Sequence, residues 1–301
     1  MLAIIAPGQG AQTPGMLTPW LEDSESAQMI ARWSDVIGKD LTALGTTADA
    51  DEIRDTANAQ PLIVATGLIA ANLLGVNAPI ISGHSVGEIT AAAIANVISE
   101  FDAMRFVNDR ADAMAKAASL EKTGMSAVLG GEREEVLDAI MKLGLVAAND
   151  NGAGQIVAAG LISELSLFAD NPPAGTRIRP LAVAGAFHTR YMASAQAALE
   201  KSATTISPND PTGSVISNRD GFAVVDGEEV IERIISQVAN PVRWDLCMKS
   251  LQELGVTGVI ELAPAGTLVG LLKRAAPEIE TFAFKSPSDL VTAKEFAEKH
   301  K

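Results

Sequence analysis

The chain has 301 residues, 48% of them hydrophobic, enough apolar material for one large domain or two smaller ones. Asp and Glu outnumber Lys and Arg by 37 to 23, a formal charge of −14 that repels polyanions, and no block of Lys and Arg marks a nucleic-acid footprint. The single cysteine, Cys247, excludes an internal disulfide and a cysteine-based metal cluster, fits a reducing cytosol and reads as a buried structural thiol.

The first predicted strand, "LAIIA" (2–6), lacks a positive flank and breaks at Pro7-Gly8, too early for a secretory signal. The longest apolar stretch, "PLIVATGLIAANLLGV", overlaps a helix-period segment (60–74) and is shorter than a bilayer-spanning helix of about 20 residues. A cytoplasmic protein with no membrane partner is therefore expected. A strand "APIIS" (78–82) and helices over 88–97 and 101–118 follow. From about 125 to 183 the order becomes strand "SAVLG" (126–130), helix (132–142), strand "LVAA" (145–148), strand "QIVAAG" (155–160), helix (163–169) and strand "IRPLAV" (178–183), with "NDNGAG" joining the central pair. That β-α-β-β-α-β order is the one of a ferredoxin-like unit. Beyond it come a helix (190–201), strand "GSVIS" (213–217), helices 227–238 and 244–254, strand "GVIEL" (258–262), helix 266–275 and strand "TFAF" (281–284). The alternation predicts an α/β protein with a mostly parallel sheet covered on both faces. The expected division is a discontinuous catalytic core, 1–122 and 185–301, with a ferredoxin-like subdomain over 123–184.

In "SGHSVGE" (82–88) the glycines on either side permit a sharp strand-to-helix turn that presents the Ser85 hydroxyl. A serine needs a base to become a nucleophile. Of the 3 histidines, His84 is adjacent on the turn, where neighbouring side chains diverge, and reads as a packing or hydrogen-bonding residue. His300 ends the charged tail "KEFAEKH" and is expected to be solvated. His188 in "VAGAFHTRYM" is left as the candidate base. Its second ring nitrogen needs an acceptor, for which Asp150, Asp170 and a backbone carbonyl all remain open.

Helix 101–118 aligns Ala103, Phe106, Val107, Ala111 and Met114 on one apolar face, and Arg110 stands four residues from both Phe106 and Met114. A guanidinium on that stripe either snorkels to water or pairs with a structural carboxylate such as Glu88, or else it grips a substrate carboxylate. The loop "PGQGAQ" (7–12) is neither a dinucleotide fingerprint nor a Walker loop. It is a tight turn or one arm of an oxyanion hole, with the amide of Gln9 joining that of Val86.

Together these segments, with "AQPLIVA" (59–65), "NDRADAM" (108–114), "NGAGQIVAAG" (151–160), "GAFH" (185–188), "SQVANPVRW" (236–244) and "ELAPAGTLVGLLKR" (261–274), resemble the malonyl-CoA:acyl carrier protein transacylases of fatty-acid synthesis and the related acyltransferase domains of polyketide synthases. The resemblance runs the length of the chain. It implies an α/β-hydrolase-like core with a ferredoxin-like insert. Ser85 would carry the acyl group and His188 would serve as base. Arg110 would bind the malonyl carboxylate, Gln60 would contribute to substrate binding, and the amides of Gln9 and Val86 would form the oxyanion hole. The backbone carbonyl of Gln237 would hold His188 in its tautomer. Phe187, just before the histidine, goes with malonyl rather than methylmalonyl in such proteins. Gly185 departs from the commoner H-A-F-H motif at its first position, and Val86 replaces a frequent Leu.

The implied partners are malonyl-CoA and an acyl carrier protein. No metal or redox cofactor is implied, and a monomer is expected. Docking an acidic carrier on an acidic chain requires a local positive patch, for which Lys273, Arg274, Arg190 and Lys249 are the candidates. The alternatives are a serine esterase or thioesterase, and a non-catalytic subunit that binds acyl-CoA or carrier. A stand-alone chain favours the discrete fatty-acid enzyme over polyketide synthesis.

Overall fold

The computed structural model describes all 301 residues. The chain opens with β1 (Leu2–Ala6), α1 (Ser24–Ile37), α2 (Leu41–Thr46), α3 (Thr56–Leu74), β2 (Ile80–Gly83), α4 (Gly87–Ile94) and α5 (Glu100–Ala118). The middle comprises β3 (Thr123–Gly130), α6 (Arg133–Lys142), β4 (Val146–Asp150), β5 (Gln155–Leu161), α7 (Ile162–Asp170) and β6 (Thr176–Pro180). The remainder holds α8 (Ala193–Ala203), β7 (Ser214–Ile216), β8 (Ala223–Val224), α9 (Gly227–Gln237), β9 (Val242–Arg243), α10 (Trp244–Glu253), β10 (Gly258–Glu261), α11 (Thr267–Ala275), β11 (Glu280–Ala283) and α12 (Leu290–Lys299).

Two sheets organise these elements. The larger has the order β11-β10-β1-β2-β7-β8 and is parallel except for the terminal β7–β8 pair. The α/β class and mostly parallel sheet expected from the sequence are thus present. Its central strand β1 is buried along its whole length, as a strand covered by helices on both faces must be. The smaller sheet has the order β6-β3-β5-β4-β9, antiparallel except for β4–β9. β9 belongs by sequence to the later part of the chain, so the smaller sheet takes one two-residue strand from outside its own 123–180 segment.

Local chemistry sets the element ends. Asp55 accepts the amide of Ala57 at 2.8 Å and starts α3 at Thr56, ahead of the expected helix start at 60, and Gly75 at φ 61° stops it. The resulting helix of 19 residues is long and apolar enough to cross a bilayer on length and composition, contrary to the expectation from the apolar run alone. Here most of it is buried in the protein, and it packs between α4 and α5 as a core helix. The expected helix over 190–201 begins instead with a short 3-10 turn, Arg190–Met192, under the Thr189 cap, before α8.

The C-terminus differs from expectation as well. "KEFAEKH" closes α12 instead of trailing into solvent, and His300 is buried at 5% exposure. Its Nδ1 lies 3.0 Å from Thr257 Oγ1 and its ring lies against Phe296. The ring occupies the space a side chain at Gly258 would need, with a Cβ there 2.3 Å from the imidazole.

Glu261, at the end of β10, is fully buried and accepts the amides of Gly266, Leu268 and Val269 at 2.9–3.0 Å. It thereby saturates the first turn of α11, a helix whose Leu268 and Leu271 line the site described below. Glu261→Ala, which leaves those amides without an acceptor, is expected to lower the unfolding free energy by about 2–3 kcal/mol in urea titrations.

Candidate active site

Between β2 and α4 the chain turns so tightly that Ser85 sits at φ 53°, a left-handed conformation unusual for serine. The flanking glycines are required by contact. A Cβ at Gly83 would lie 2.0 Å from the carbonyl carbon of Gly87, and one at Gly87 would lie 2.3 Å from the carbonyl oxygen of Ala6. Gly8 is held just as closely, since its Cβ would meet the carbonyl oxygen of His84 at 2.6 Å. The glycine loop after β1 therefore packs directly on the serine turn. Asn218, absent from the sequence expectations, secures it. Its Oδ1 accepts the amide of Ser85 at 2.8 Å and its Nδ2 donates to the carbonyl of Gly83 at 2.7 Å. The one signal for it was position: a polar residue just past the carboxyl end of β7, where open α/β sheets place ligand-facing groups.

His188 also has positive φ, 59°, and is 4% exposed. Its Nε2 lies 2.8 Å from Ser85 Oγ and its Nδ1 lies 2.8 Å from the carbonyl oxygen of Gln237. A carbonyl only accepts, so Nδ1 carries the proton and Nε2 is the free base facing the serine hydroxyl. Neither aspartate left open by the sequence orients this ring: Asp150 binds Arg133 at 2.8 Å, and Asp170 is exposed at the end of α7. His84 points elsewhere, with Nε2 2.8 Å from Asn151 Oδ1 and its ring edge-to-face with Trp244. Burial pulls the His188 pKa from 6.5 down to about 3, and the Arg110 charge adds to the shift.

Arg110 neither snorkels nor pairs directly with Glu88. It is 1% exposed, and two neutral amides hold it: Nη1 donates to Gln60 Oε1 at 2.5 Å and Nη2 to Gln237 Oε1 at 2.9 Å. Nη2 also reaches to 3.5 Å from Ser85 Oγ, and Nε has no partner in the protein. Glu88 sits one amide further back, its Oε2 accepting from Gln237 Nε2 at 2.5 Å and its Oε1 from the Asn218 amide at 2.6 Å. Burial pushes the Glu88 carboxyl upward, while the Asn218 N–H and the Arg110 charge pull it back.

Ser85, His188, Arg110 and Gln60 line a cavity of about 370 Å³ between the two sheets, together with Gln9 and Phe187, and Gln237, Glu88 and Asn218 lie behind its wall. The structure therefore brings together Ser85, His188, Arg110, Gln60, Gln237, Gln9 and Phe187. Val86 caps α4 directly behind the serine. The backbone amides of Gln9 and Val86 donate to no other backbone group. The departure at Gly185 has a local cause, because a Cβ there would lie 2.7 Å from Ala118 Cβ. Of the candidate docking cations, Lys249 is paired with Glu253 at 3.3 Å and Arg190 stacks over Tyr191. Lys273 and Arg274 close the last turn of α11, which flanks the cavity.

A hydroxyl beside a neutral base, next to a buried cationic fork on an α/β sheet, is equipment for acyl transfer. Residues 4–288 match the acyl transferase domain family, and the chain belongs to it. It is 50% identical over 296 residues to the malonyl CoA-acyl carrier protein transacylase of Mycobacterium tuberculosis, covering 96% of this chain and 98% of that one. The Escherichia coli protein of the same name is 30% identical over 309 residues, covering 97% and 98%. The crystal structure of MCAT from Mycobacterium tuberculosis matches with a TM-score of 0.94 at 49% identity, covering 97% of this chain and 99% of that one. A malonyl-transacylase solved in complex with a type II polyketide synthase acyl-carrier protein matches with a TM-score of 0.92 at 29% identity, covering 98% and 99%.

The burial of neutral His188 has a stability consequence. Its pKa is depressed in the fold, so the unfolded chain binds the proton first. The stability His188 confers is complete above about pH 6.5 and is lost as pH falls toward about 3. His188→Gln is expected to flatten that part of the acid limb of the stability curve, measured by urea unfolding between pH 7 and pH 4.

Proposed function

We propose that this chain moves a malonyl group from malonyl-CoA to the phosphopantetheine thiol of an acyl carrier protein through an ester on Ser85. The observation that carries the reading is Arg110. It is a buried fork held by amides instead of a carboxylate, 3.5 Å from the candidate nucleophile. A neutral acyl group would have no use for it, whereas a malonyl carboxylate supplies the anion it lacks. The names of the relatives point the same way.

In the first half-reaction Ser85 Oγ attacks the thioester carbonyl as its proton passes to His188 Nε2. The amides of Gln9 and Val86 receive the oxyanion, and the C–S bond breaks as the imidazolium returns its proton to the coenzyme thiolate. In the second, His188 takes the proton of the carrier's thiol, the sulfur attacks the seryl ester, and Ser85 recovers its proton as the C–O bond breaks. The carbonyl of Gln237 holds the imidazole in one tautomer throughout, so no aspartate is needed. This chemistry consists of proton transfer and acyl exchange, and requires neither metal nor redox cofactor. Gln60 and Phe187 bound the acyl site, and Phe187 favours malonyl over branched acyl groups. Lys273 and Arg274, exposed in the last turn of the helix whose Leu268 and Leu271 line the cavity and outside any ion pair, are the better-placed docking cations for an acidic carrier.

We further read residues 123–184 as a ferredoxin-like subdomain set into a core of 1–122 and 185–301. The β-α-β-β-α-β connectivity and the order β6-β3-β5-β4 support that division. We place the protein in the cytoplasm, as for other soluble enzymes that act on coenzyme A esters and carrier proteins.

Two experiments test the proposal. Intact-mass analysis after mixing with malonyl-CoA is expected to show one malonyl adduct on the native protein and none on Ser85→Ala, and a persistent adduct on the variant would end the nucleophile assignment. Arg110→Ala is expected to slow acylation by malonyl-CoA at least about 10²-fold more than acylation by acetyl-CoA, the worth of roughly 2–3 kcal/mol of charge-assisted hydrogen bonding. Equal losses for the two acyl groups would remove the carboxylate clamp.

A further inference from the structure

Glu88 has no part in the chemistry above and the Gln237 side chain enters it only as a partner of Arg110, yet both are buried at its centre, 2% and 4% exposed. Their contacts form one chain that ends on Arg110. A glutamine amide can sit either way round, and which way decides what Arg110 meets. Gln237 Nε2 is surrounded by acceptors: Glu88 Oε2 at 2.5 Å, Asn218 Oδ1 at 3.1 Å and the carbonyl of Ser85 at 3.2 Å. Asn218 Oδ1 is itself fixed as an acceptor, because Asn218 Nδ2 donates to the carbonyl of Gly83. Both Glu88 oxygens are occupied by N–H donors, one from Asn218 and one from Gln237. Turning the Gln237 amide over would aim its oxygen at three oxygens and its NH2 at a guanidinium.

We propose that Glu88 is a positioning residue for acyl-group selection: it locks the Gln237 amide in the orientation that presents Oε1 to Arg110, holding the guanidinium beside Ser85 without occupying it. A carboxylate placed directly on Arg110 would form an ion pair and compete with the substrate's own carboxylate. Moved one amide away, it orients and partly compensates the cation through a hydrogen-bonded relay and leaves the fork open. The same carboxylate accepts the Asn218 amide, and Asn218 holds the Ser85 backbone. Position of the nucleophile and position of the acyl clamp therefore share one anchor.

The inference rests on the function proposed above, and the test separates the two. Glu88→Gln keeps the shape but offers one acceptor where two N–H donors arrive, so an NH2 must face a donor. Where that NH2 faces Gln237, the shortest of its three acceptors is lost and only Asn218 Oδ1 and the Ser85 carbonyl oppose inversion of the amide. In single-turnover acylation followed by mass spectrometry, Glu88→Gln is expected to lower malonylation of Ser85 at least about ten-fold more than acetylation. Gln237→Met, which removes the side-chain amide and keeps the backbone carbonyl that holds His188, is expected to shift the malonyl-to-acetyl ratio in the same direction. It decides the question if Glu88→Gln does not fold. In an Arg110→Ala background, Glu88→Gln is expected to change that ratio no further. Equal losses for malonyl and acetyl groups, or an undiminished shift in the Arg110→Ala background, would overturn the positioning role. An absent malonyl adduct on the native protein would instead overturn the proposed function.

Discussion

A guanidinium with 1% exposure and no carboxylate in contact is the constraint around which this site is built. Removing such a charge from water costs several kcal/mol even after relaxation, and hydrogen bonds to neutral amides restore only part of it. Burial accordingly lowers the Arg110 pKa to about 10, with the more distant Glu88 resisting the shift. The deficit makes the cavity a strong site for an anion of the right length. Under the proposed function, what looks like poor engineering of a protein core would be the source of substrate affinity.

The remainder of the site follows from keeping that cation near Ser85. The serine must sit at positive φ on a turn where the strand, the helix and the glycine loop approach to within contact of backbone atoms, so three positions exclude any side chain. Gln237 then serves twice, its backbone orienting the base and its side chain orienting the cation. Asn218 likewise holds the Ser85 amide with one oxygen and receives a Gln237 N–H on the same atom. Few residues do the positioning, and each is constrained from two directions.

How much of this was legible depended on whether the signal was local. The glycines around Ser85 mark a backbone constraint that any sequence shows within five residues. Arg110 betrayed itself by breaking an apolar helix face, and His188 was reached by elimination among a few histidines. Gln237 was reached only through resemblance, because a carbonyl acceptor has no residue signature at all. Asn218 had no signal beyond its position, and Glu88 was offered only as a direct partner of Arg110, since the contact that joins the two spans about 130 residues of chain and polar side chains near strand ends are common. The parallel sheet was readable from its continuous apolar runs. The helices α1, α2 and α12 were not read: α1 buries only Ser26, Ile30 and Trp33 of its 14 residues, α2 spans six residues, and the buried face of α12 is two alanines. His300 was misjudged for a related reason: its charged neighbours face water while the ring itself fills the space over Gly258, a packing that no local charge pattern reveals.

The cation and the base are coupled through more than geometry. The Arg110 charge is the second cause, after burial, of the depressed proton affinity of His188. A carboxylate bound on Arg110 cancels that charge where it acts, so the ligand that fits the fork also raises the basicity of the imidazole beside Ser85. The coupling is reciprocal: a protonated His188 adds positive charge near the fork and strengthens its hold on the carboxylate while the oxyanion forms. An acyl group without a carboxylate obtains neither effect. Under the proposed function it would meet a weaker base next to an unneutralised cation, and the site would discriminate in the rate of acylation as well as in binding.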